Sequence, residues 1–185
     1  YYIIMEQSMN SQDSSLVENT ETKTELHKLS DTWTMWAHLP HDIDWSLKSY
    51  SQLLTFSNME ELITLNNTIP ERMLKNCMLF LMKDGINPIW EDPENREGGC
   101  FSYRIPNKNI KKIWDKLSYT MVGQSCSKNS ALVKNINGIT VSPKKNFCIL
   151  KIWLKNTDFQ NPSDIIEFDN FTSTGCLFKR HNPEY

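Results

Sequence analysis

An aromatic residue and an acid stand side by side at Trp90 and Glu91, within the run Lys83-Asp-Gly-Ile-Asn-Pro-Ile-Trp-Glu-Asp-Pro-Glu-Asn-Arg-Glu-Gly-Gly99. An indole face attracts delocalised positive charge, and a neighbouring carboxylate accepts hydrogen bonds from ring N–H and exocyclic amine groups. The pair therefore suits a flat cation with amide-like donors. A second indole on the opposite side would complete a sandwich, and stacking on an aromatic contributes about 1–3 kcal/mol per base. Trp45, in the loop-like Pro40-His-Asp-Ile-Asp-Trp45, is the candidate. Glu91 has the chemistry of a general base as well. No nucleophile, partner acid or metal cluster of recognisable spacing accompanies it, so its carboxylate reads as a recognition group.

Other chemistry-bearing groups have simpler readings. His38 and His41 have an H-x-x-H spacing beside Asp42 and Asp44, which offers metal-ligand types but fits a solvated loop better. Cys77, Cys100, Cys126, Cys148 and Cys176 are odd in number and contain no C-x-x-C pair. They fit reduced, mostly buried thiols in a cytosolic compartment and imply neither a disulfide framework nor a metal site. Glycine-rich phosphate loops are absent, which removes a nucleotide triphosphatase. No cofactor is implied. A net charge of −2 excludes a broad basic field, so any nucleic-acid contact must be local.

The elements that must position these residues are legible from periodicity. The 185-residue chain suits one domain. Residues 1–27 are mostly Ser, Asn, Gln, Thr and Glu and read as a flexible tail, with an apolar opening, Tyr-Tyr-Ile-Ile, that could dock on the domain or a partner. Tail acids such as Glu18 and Glu21 read as solvating charges. The ordered domain, 28–185, is expected to hold strands over 31–38, 49–55, 78–83, 100–105, 131–136, 139–142, 147–154, 165–168 and 176–179. Helices are expected over 58–67, opened by a Ser57-x-x-Glu60 capping box, and over 109–122, where Ile110, Ile113, Trp114, Leu117 and Met121 form an apolar stripe. Lys108, Lys111, Lys112 and Lys116 read as its solvated opposite face. Residues 143–146 read as a hairpin loop, and Pro93, Asn95, Gly98 and Gly99 mark a long turn. Strands interspersed with helices predict an α+β fold, a mostly antiparallel sheet with helices on one face. Without a signal-peptide or transmembrane pattern, the expectation is a soluble, cytoplasmic monomer with no membrane partner.

7-Methylguanine meets the description of a flat cation with amide-like donors. The order W-x-x-W, a loop Trp, D-G-I-x-P-x-W-E-D-x-x-N-x-x-G-G and a late Trp resembles the eukaryotic translation initiation factor 4E family of mRNA cap-binding proteins, over residues 27–168. The resemblance implies a cupped antiparallel sheet whose concave side holds the cap and whose convex side carries the helices. It implies that Trp45 and Trp90 stack on the base, Glu91 reads the guanine edge and Trp153 lies near the N7-methyl group. Trp33, Trp36 and Trp114 fall at the family's structural positions. For the cap phosphates, Lys144 falls at one basic position. Ile149 falls at the other, a departure that leaves Lys145 or Lys151 to supply the charge.

Further departures lie on the convex face, where the family recruits a scaffold protein. Its apolar entry reads His27-Lys28-Leu29, its Trp in the first helix reads Ile63, and the second helix shows Asp115, Lys116 and Tyr119. Losing an interface Trp often removes at least about 2 kcal/mol of binding. The segment from Trp153 to Ile165 is too short for a long helix the family carries there, which opens one side of the site. The function expected is a non-enzymatic receptor for capped mRNA that serves translation initiation through a non-standard scaffold or regulatory partner. The alternatives are a cap-binding competitor without productive scaffold contacts and, remotely, an enzyme acting on capped RNA ends. High Asn, Lys and Ile content points to an AT-rich genome and, with the divergent convex face, raises a homologue from a large DNA virus.

Overall fold

The computed structural model describes residues 25–181. The expected tail, its Tyr-Tyr-Ile-Ile opening, Glu18 and Glu21 lie outside the described residues, apart from residues 25–27.

Seven strands form one sheet in the order β2-β1-β3-β5-β6-β4-β7. They are β1 Lys28–His38, β2 Tyr50–Asn58, β3 Met78–Lys83, β4 Gly99–Pro106, β5 Ile136–Pro143, β6 Phe147–Leu154 and β7 Leu177–Arg180, and every neighbouring pair is antiparallel. Among the described residues four α-helices accompany them, α1 Met59–Thr68, α2 Glu71–Asn76, α3 Ile110–Val122 and α4 Ser130–Asn135. The sheet is curved and open, an α+β cupped hand with its helices on the convex side.

Strand alternation sorts side chains between the two faces. On the helical side, Trp33, Met35, Leu79, Leu81, Tyr103, Val141, Leu150 and Ile152 join the stripe of α3 in the main core, and Trp114 there is fully buried. The stripe predicted over Ile110, Ile113, Trp114, Leu117 and Met121 is the buried face of α3. The opposite side carries a smaller apolar cluster of Phe80, Met82 and Trp153, with Trp36, Tyr50, Met78 and Ile86 packed on it. Trp36, expected among the structural core aromatics, thus belongs to the concave side.

Three local expectations are corrected. Residues 131–135 are not a strand, and only Ile136 belongs to one, as the start of β5: the Asn129 side chain accepts from the N–H groups of Ala131 and Leu132 at 3.0 and 3.3 Å, and this cap starts α4 despite the β-branched Val133. Residues 165–168 form no strand. Ile165 is buried in the core, the Ile166 N–H bonds Cys126 O at 2.8 Å, and the sheet edge beside β4 is already taken by β7. The cap of α1 lies one residue later than predicted. Asn58 accepts from the Glu61 N–H at 2.9 Å and Glu61 reaches back to the Ser57 N–H at 3.2 Å, which frees Glu60 for a different partner. Pattern reading also passed over α2, which starts after Pro70.

The Lys-rich face of α3 is exposed at Lys112 and Lys116, as expected of a solvated face, and its lysines are partnered as well. Lys111 bonds Asp115 at 2.6 Å, Lys112 bonds Asp169 at 2.6 Å, and the Lys116 ammonium lies 4.6 Å from the Phe168 ring centre. The five cysteines are all free, with Cys100, Cys126 and Cys148 buried. Burial pushes the Cys126 thiol up to about 11. No helix among the described residues is long and apolar enough to cross a membrane.

Candidate functional site

The loop carrying Trp90 and Glu91, between β3 and β4, is built on buried polar groups. Asp92, 6% exposed, accepts from the Asn87 N–H at 3.0 Å, the Asn87 side-chain amide at 2.8 Å and the Glu94 N–H at 2.9 Å. Asn95, 0% exposed, donates to the carbonyls of Asn87 and Ile89 at 3.0 and 2.8 Å, and its side-chain oxygen accepts from Asn137 at 3.0 Å. Asn137 also donates to Glu94 O at 2.7 Å. Such a satisfied network fixes one loop conformation, because leaving any member unpaired is costly in a dry site. The loop rejoins β4 through Gly98 and Gly99, where a Cβ would collide with the Leu154 carbonyl or with Lys179 O and the Phe178 ring. Trp90 and Glu91 project from this frame into solvent, Trp90 at 45% exposure.

Trp45 lies on a different kind of loop, between β1 and β2. Two Asx turns shape it: Asp42 accepts from the Asp44 N–H at 2.9 Å and Asp44 from the Ser46 N–H at 2.8 Å. The Ser46 amide and hydroxyl hold the Asp44 carboxyl below its usual range. Trp45 is 57% exposed, and one indole face stacks on His38 with centroids 4.4 Å apart and planes 1° from parallel. His38 is buried and its Nε2 donates to Asp44 O at 2.9 Å. His38 is thus the backing of Trp45, and His41 stands apart in the turn at φ 74°. Among the described residues no group of three His, Cys, Asp or Glu is close enough to hold a metal ion.

A chain of aromatic contacts runs from Trp45 across the concave face. His38 meets Tyr50 edge-on at 4.9 Å, Tyr50 meets Phe80 at 5.3 Å, Phe80 meets Trp153 at 6.5 Å, and Trp153 meets His181 at 4.5 Å. Glu91 comes close enough to act on this chain: burial, then the Glu91 charge, raises the Tyr50 phenol above its ordinary 10.0. Trp45, Glu91 and Trp153, far apart in sequence, therefore converge on one face. Lys151 belongs to it too, on the same side of β6 as Trp153, and its charge adds to the burial that holds His181 below its ordinary 6.5. Lys144 and Lys145 lie exposed at the tip of the β5–β6 hairpin, where the Lys144 N–H bonds Phe147 O at 2.8 Å.

Sequence reasoning missed Tyr50 and Phe80, which read only as strand apolars. It also missed His181, whose ring Nδ1 donates to Asn95 O at 2.9 Å while its backbone N–H donates to Gly98 O at 3.1 Å; no local pattern marks it. Asp92 and Asn95 were part of the quoted motif, yet their buried scaffold role is visible only in three dimensions.

The candidate partner residues lie on the opposite side. His27 Nδ1 meets Glu60 Oε1 at 2.6 Å and its N–H donates to the same carboxylate at 3.1 Å. Ile63 on α1 is 43% exposed, and Tyr119 on α3 packs against the core edge. A cavity of about 810 Å³, lined by Ser125, Lys128, Ser163, Ile165 and Glu167 among others, lies on this helical side; the concave face is open.

The family model described as eukaryotic initiation factor 4E matches residues 28–174. Among curated relatives, eukaryotic translation initiation factor 4E-2 of Schizosaccharomyces pombe is 27% identical over 80% of this chain and 61% of its own length. Eukaryotic translation initiation factor 4E of Eremothecium gossypii is 28% identical over 83% and 78%. The chain thus spans less than two thirds of the Schizosaccharomyces pombe protein. Among solved structures, a schistosome eIF4E complexed with m7GpppG and 4E-BP superposes with a TM-score of 0.65 at 25% identity, covering 72% of this chain and 74% of that one. Caenorhabditis elegans eIF4E-3 in complex with the 4E-binding protein Mextli shares the fold, with a TM-score of 0.64 at 22% identity over 72% and 78%. With the family model spanning residues 28–174 and the curved open sheet matching that of a solved member, the chain belongs to the eukaryotic initiation factor 4E family.

Proposed function

We propose that this protein binds the 7-methylguanosine 5′ cap of mRNA on its concave face and serves translation initiation as a non-enzymatic receptor. In this reading Trp45 and Trp90 take the base between their indoles and Glu91 accepts hydrogen bonds from the guanine edge. Trp153 lies beside the N7-methyl group, and Lys144, Lys145 and Lys151 meet the phosphates as point charges. The observation that carries the reading is the aromatic chain from Trp45 to Trp153 with Glu91 beside its middle member, Tyr50. Family membership supports it, as does the schistosome relative whose described complex contains m7GpppG.

Quenching of intrinsic Trp fluorescence by 7-methylguanosine triphosphate, beside unmethylated GTP, tests it. The wild type is expected to prefer the methylated analogue, and Trp45→Ala, Trp90→Ala and Glu91→Ala to lose that preference. Equal affinity for both nucleotides would remove cap recognition.

A second reading, a cap-binding competitor, is favoured by the helical face: Ile63 is its exposed apolar residue on α1, Tyr119 is drawn into the core edge, and His27 is engaged by Glu60. The partner on this face is therefore of a non-standard kind or absent. Recovery from lysate of a scaffold that also brings ribosomal subunits would exclude the competitor.

A further inference from the structure

The concave face continues beyond Trp153 onto β4, β6 and β7, and its chemistry changes there from aromatic to cationic. Pairing fixes which residues share the face. Cys100 lies opposite Trp153, Ser102 opposite Lys151 and Arg104 opposite Ile149, and Lys179 of β7 lies opposite Cys100. Phe147, at the start of β6, is on the same side, and the Arg104 guanidinium sits 4.1 Å above its ring. Arg104 and Lys179 are exposed and Phe147 is half-buried.

Two features separate this strip from ordinary surface charge. In a chain of net charge −2, the described residues on this side of β4, β5, β6 and β7 include no carboxylate. Among the described residues, no salt bridge involves Arg104, Lys144, Lys145, Lys151 or Lys179, whereas Lys111 and Lys112 on the helical side are paired with acids. Unpaired cations held on one face raise the local potential for an anion. A guanidinium stacked on a phenyl ring adds a planar surface of the sort on which unpaired bases stack.

We propose that Arg104 and Phe147, with Lys179 beside them, form a landing site for the single-stranded RNA that follows the cap. The proposal rests on the cap reading and extends it. From Trp153 to Phe147 is six residues of strand, about 20 Å at 3.3 Å per residue. That is the rise of about six stacked nucleotides at 3.4 Å each, so the site lies within reach of the first nucleotides of a capped strand. Single-stranded RNA is the occupant the strip fits: phosphates match its unpaired cations, the Arg104–Phe147 platform offers a flat face, and the strip is continuous with a face that already presents indoles.

The test compares 7-methylguanosine triphosphate with a capped, unstructured RNA of about ten nucleotides, and with the same RNA uncapped, across salt. For the wild type the capped RNA is expected to bind about tenfold tighter than the cap analogue, consistent with one or two stacked bases and added phosphate contacts, and with a steeper salt dependence. Arg104→Ala, Phe147→Ala and the double variant should lose most of that gain while keeping cap-analogue affinity within about twofold. Arg104→Lys, which keeps the charge and loses the planar fork, should keep the salt slope and lose part of the gain. Retained cap-analogue binding serves as the folding control. If the capped RNA binds no tighter than the analogue, if the gain survives the double variant, or if a poly-glutamate peptide competes as well as uncapped RNA, the landing site is wrong. Failure of the cap reading itself looks different: the analogue would show no methyl preference, yet uncapped RNA would still bind in an Arg104-dependent way if this inference holds.

Discussion

The two loops that carry the exposed indoles Trp45 and Trp90 are built in opposite ways. The Trp90 loop is organised from within, by Asp92 and Asn95 buried in a closed set of hydrogen bonds and by two glycines wedged against β6 and β7. The Trp45 loop is organised from its surface, by two Asx turns and one imidazole stack, and it leaves Ile43 at 90% exposure and Leu39 at 57%. A loop with few buried contacts opens at small free-energy cost, whereas a buried polar network opens only with its surroundings. In the proposed cap reading this difference pairs one fixed wall with one adjustable wall: Trp90 would set position, and Trp45 would close by exchanging its free face or its His38 contact for the ligand.

Breaking the fixed wall should have the largest effect. Asn95→Ala removes three buried side-chain bonds, strands the Asn87 carbonyl and leaves the Ile89 carbonyl only a 3.4 Å bond from the Asp92 N–H, so unfolding free energy should fall by about 3 kcal/mol, measured by chemical denaturation. Cap-analogue affinity should fall with it. Removing the indole alone separates the frame from what it presents. Trp90→Ala should leave stability within about 0.5 kcal/mol, because the side chain is half exposed, and weaken cap-analogue binding by about 10- to 100-fold. A stability loss as large as that of Asn95→Ala would mean that Trp90 is part of the frame.

Weakening the adjustable wall sharpens the contrast. His38→Phe keeps a ring under Trp45 and gives up the bond to Asp44 O; cap-analogue affinity should stay within about twofold of wild type. His38→Ala removes the stack and should cost about fivefold, near the lower range for an aromatic pair. Equal losses from the two variants would point to the hydrogen bond as the element that matters.

A smaller effect is expected from pH. Burial, followed by the nearby Lys151, holds His181 below its ordinary 6.5, against the opposing bond to Asn95 O. The unfolded chain then takes up the proton more readily than the folded one, so stability is full above about pH 6.5 and declines as pH falls through and below it. His181→Gln should flatten the decline seen by thermal melting between about pH 7 and 5. The smallest effect belongs to Ile43→Ser, expected to change stability and affinity by no more than about 0.5 kcal/mol because the side chain is almost wholly in solvent.

Strand and helix periodicity in the sequence was sufficient for β3 and β6, whose predicted limits are those observed, and for the apolar stripe of α3. It failed where a side-chain cap decides: Asn129 turns the apolar stretch Ala131-Leu132-Val133 into α4, and Asn58 rather than Ser57 opens α1. Within the site, the run around Trp90 and Glu91 was legible because its length and composition are distinctive. Tyr50, Phe80 and His181 were not, because their roles depend on rings brought within 4.5–6.5 Å only by the folded sheet.

The sequence by itself determined which chemistry the molecule carries: exposed indoles, a carboxylate beside one of them, and an alternation of apolar residues that commits the chain to an antiparallel sheet. Those are properties of residue type and short-range spacing. Only the tertiary structure decided that Trp45, Glu91, Trp153 and Lys151 share one face while His27, Ile63 and Tyr119 share the other. It alone decided that the lysines of α3 are paired while those of β6 and β7 are not. Facing depends on strand register, and a shift of one residue would exchange the two faces. Register in turn is fixed by the burial of residues distant in the chain, which local pattern does not encode.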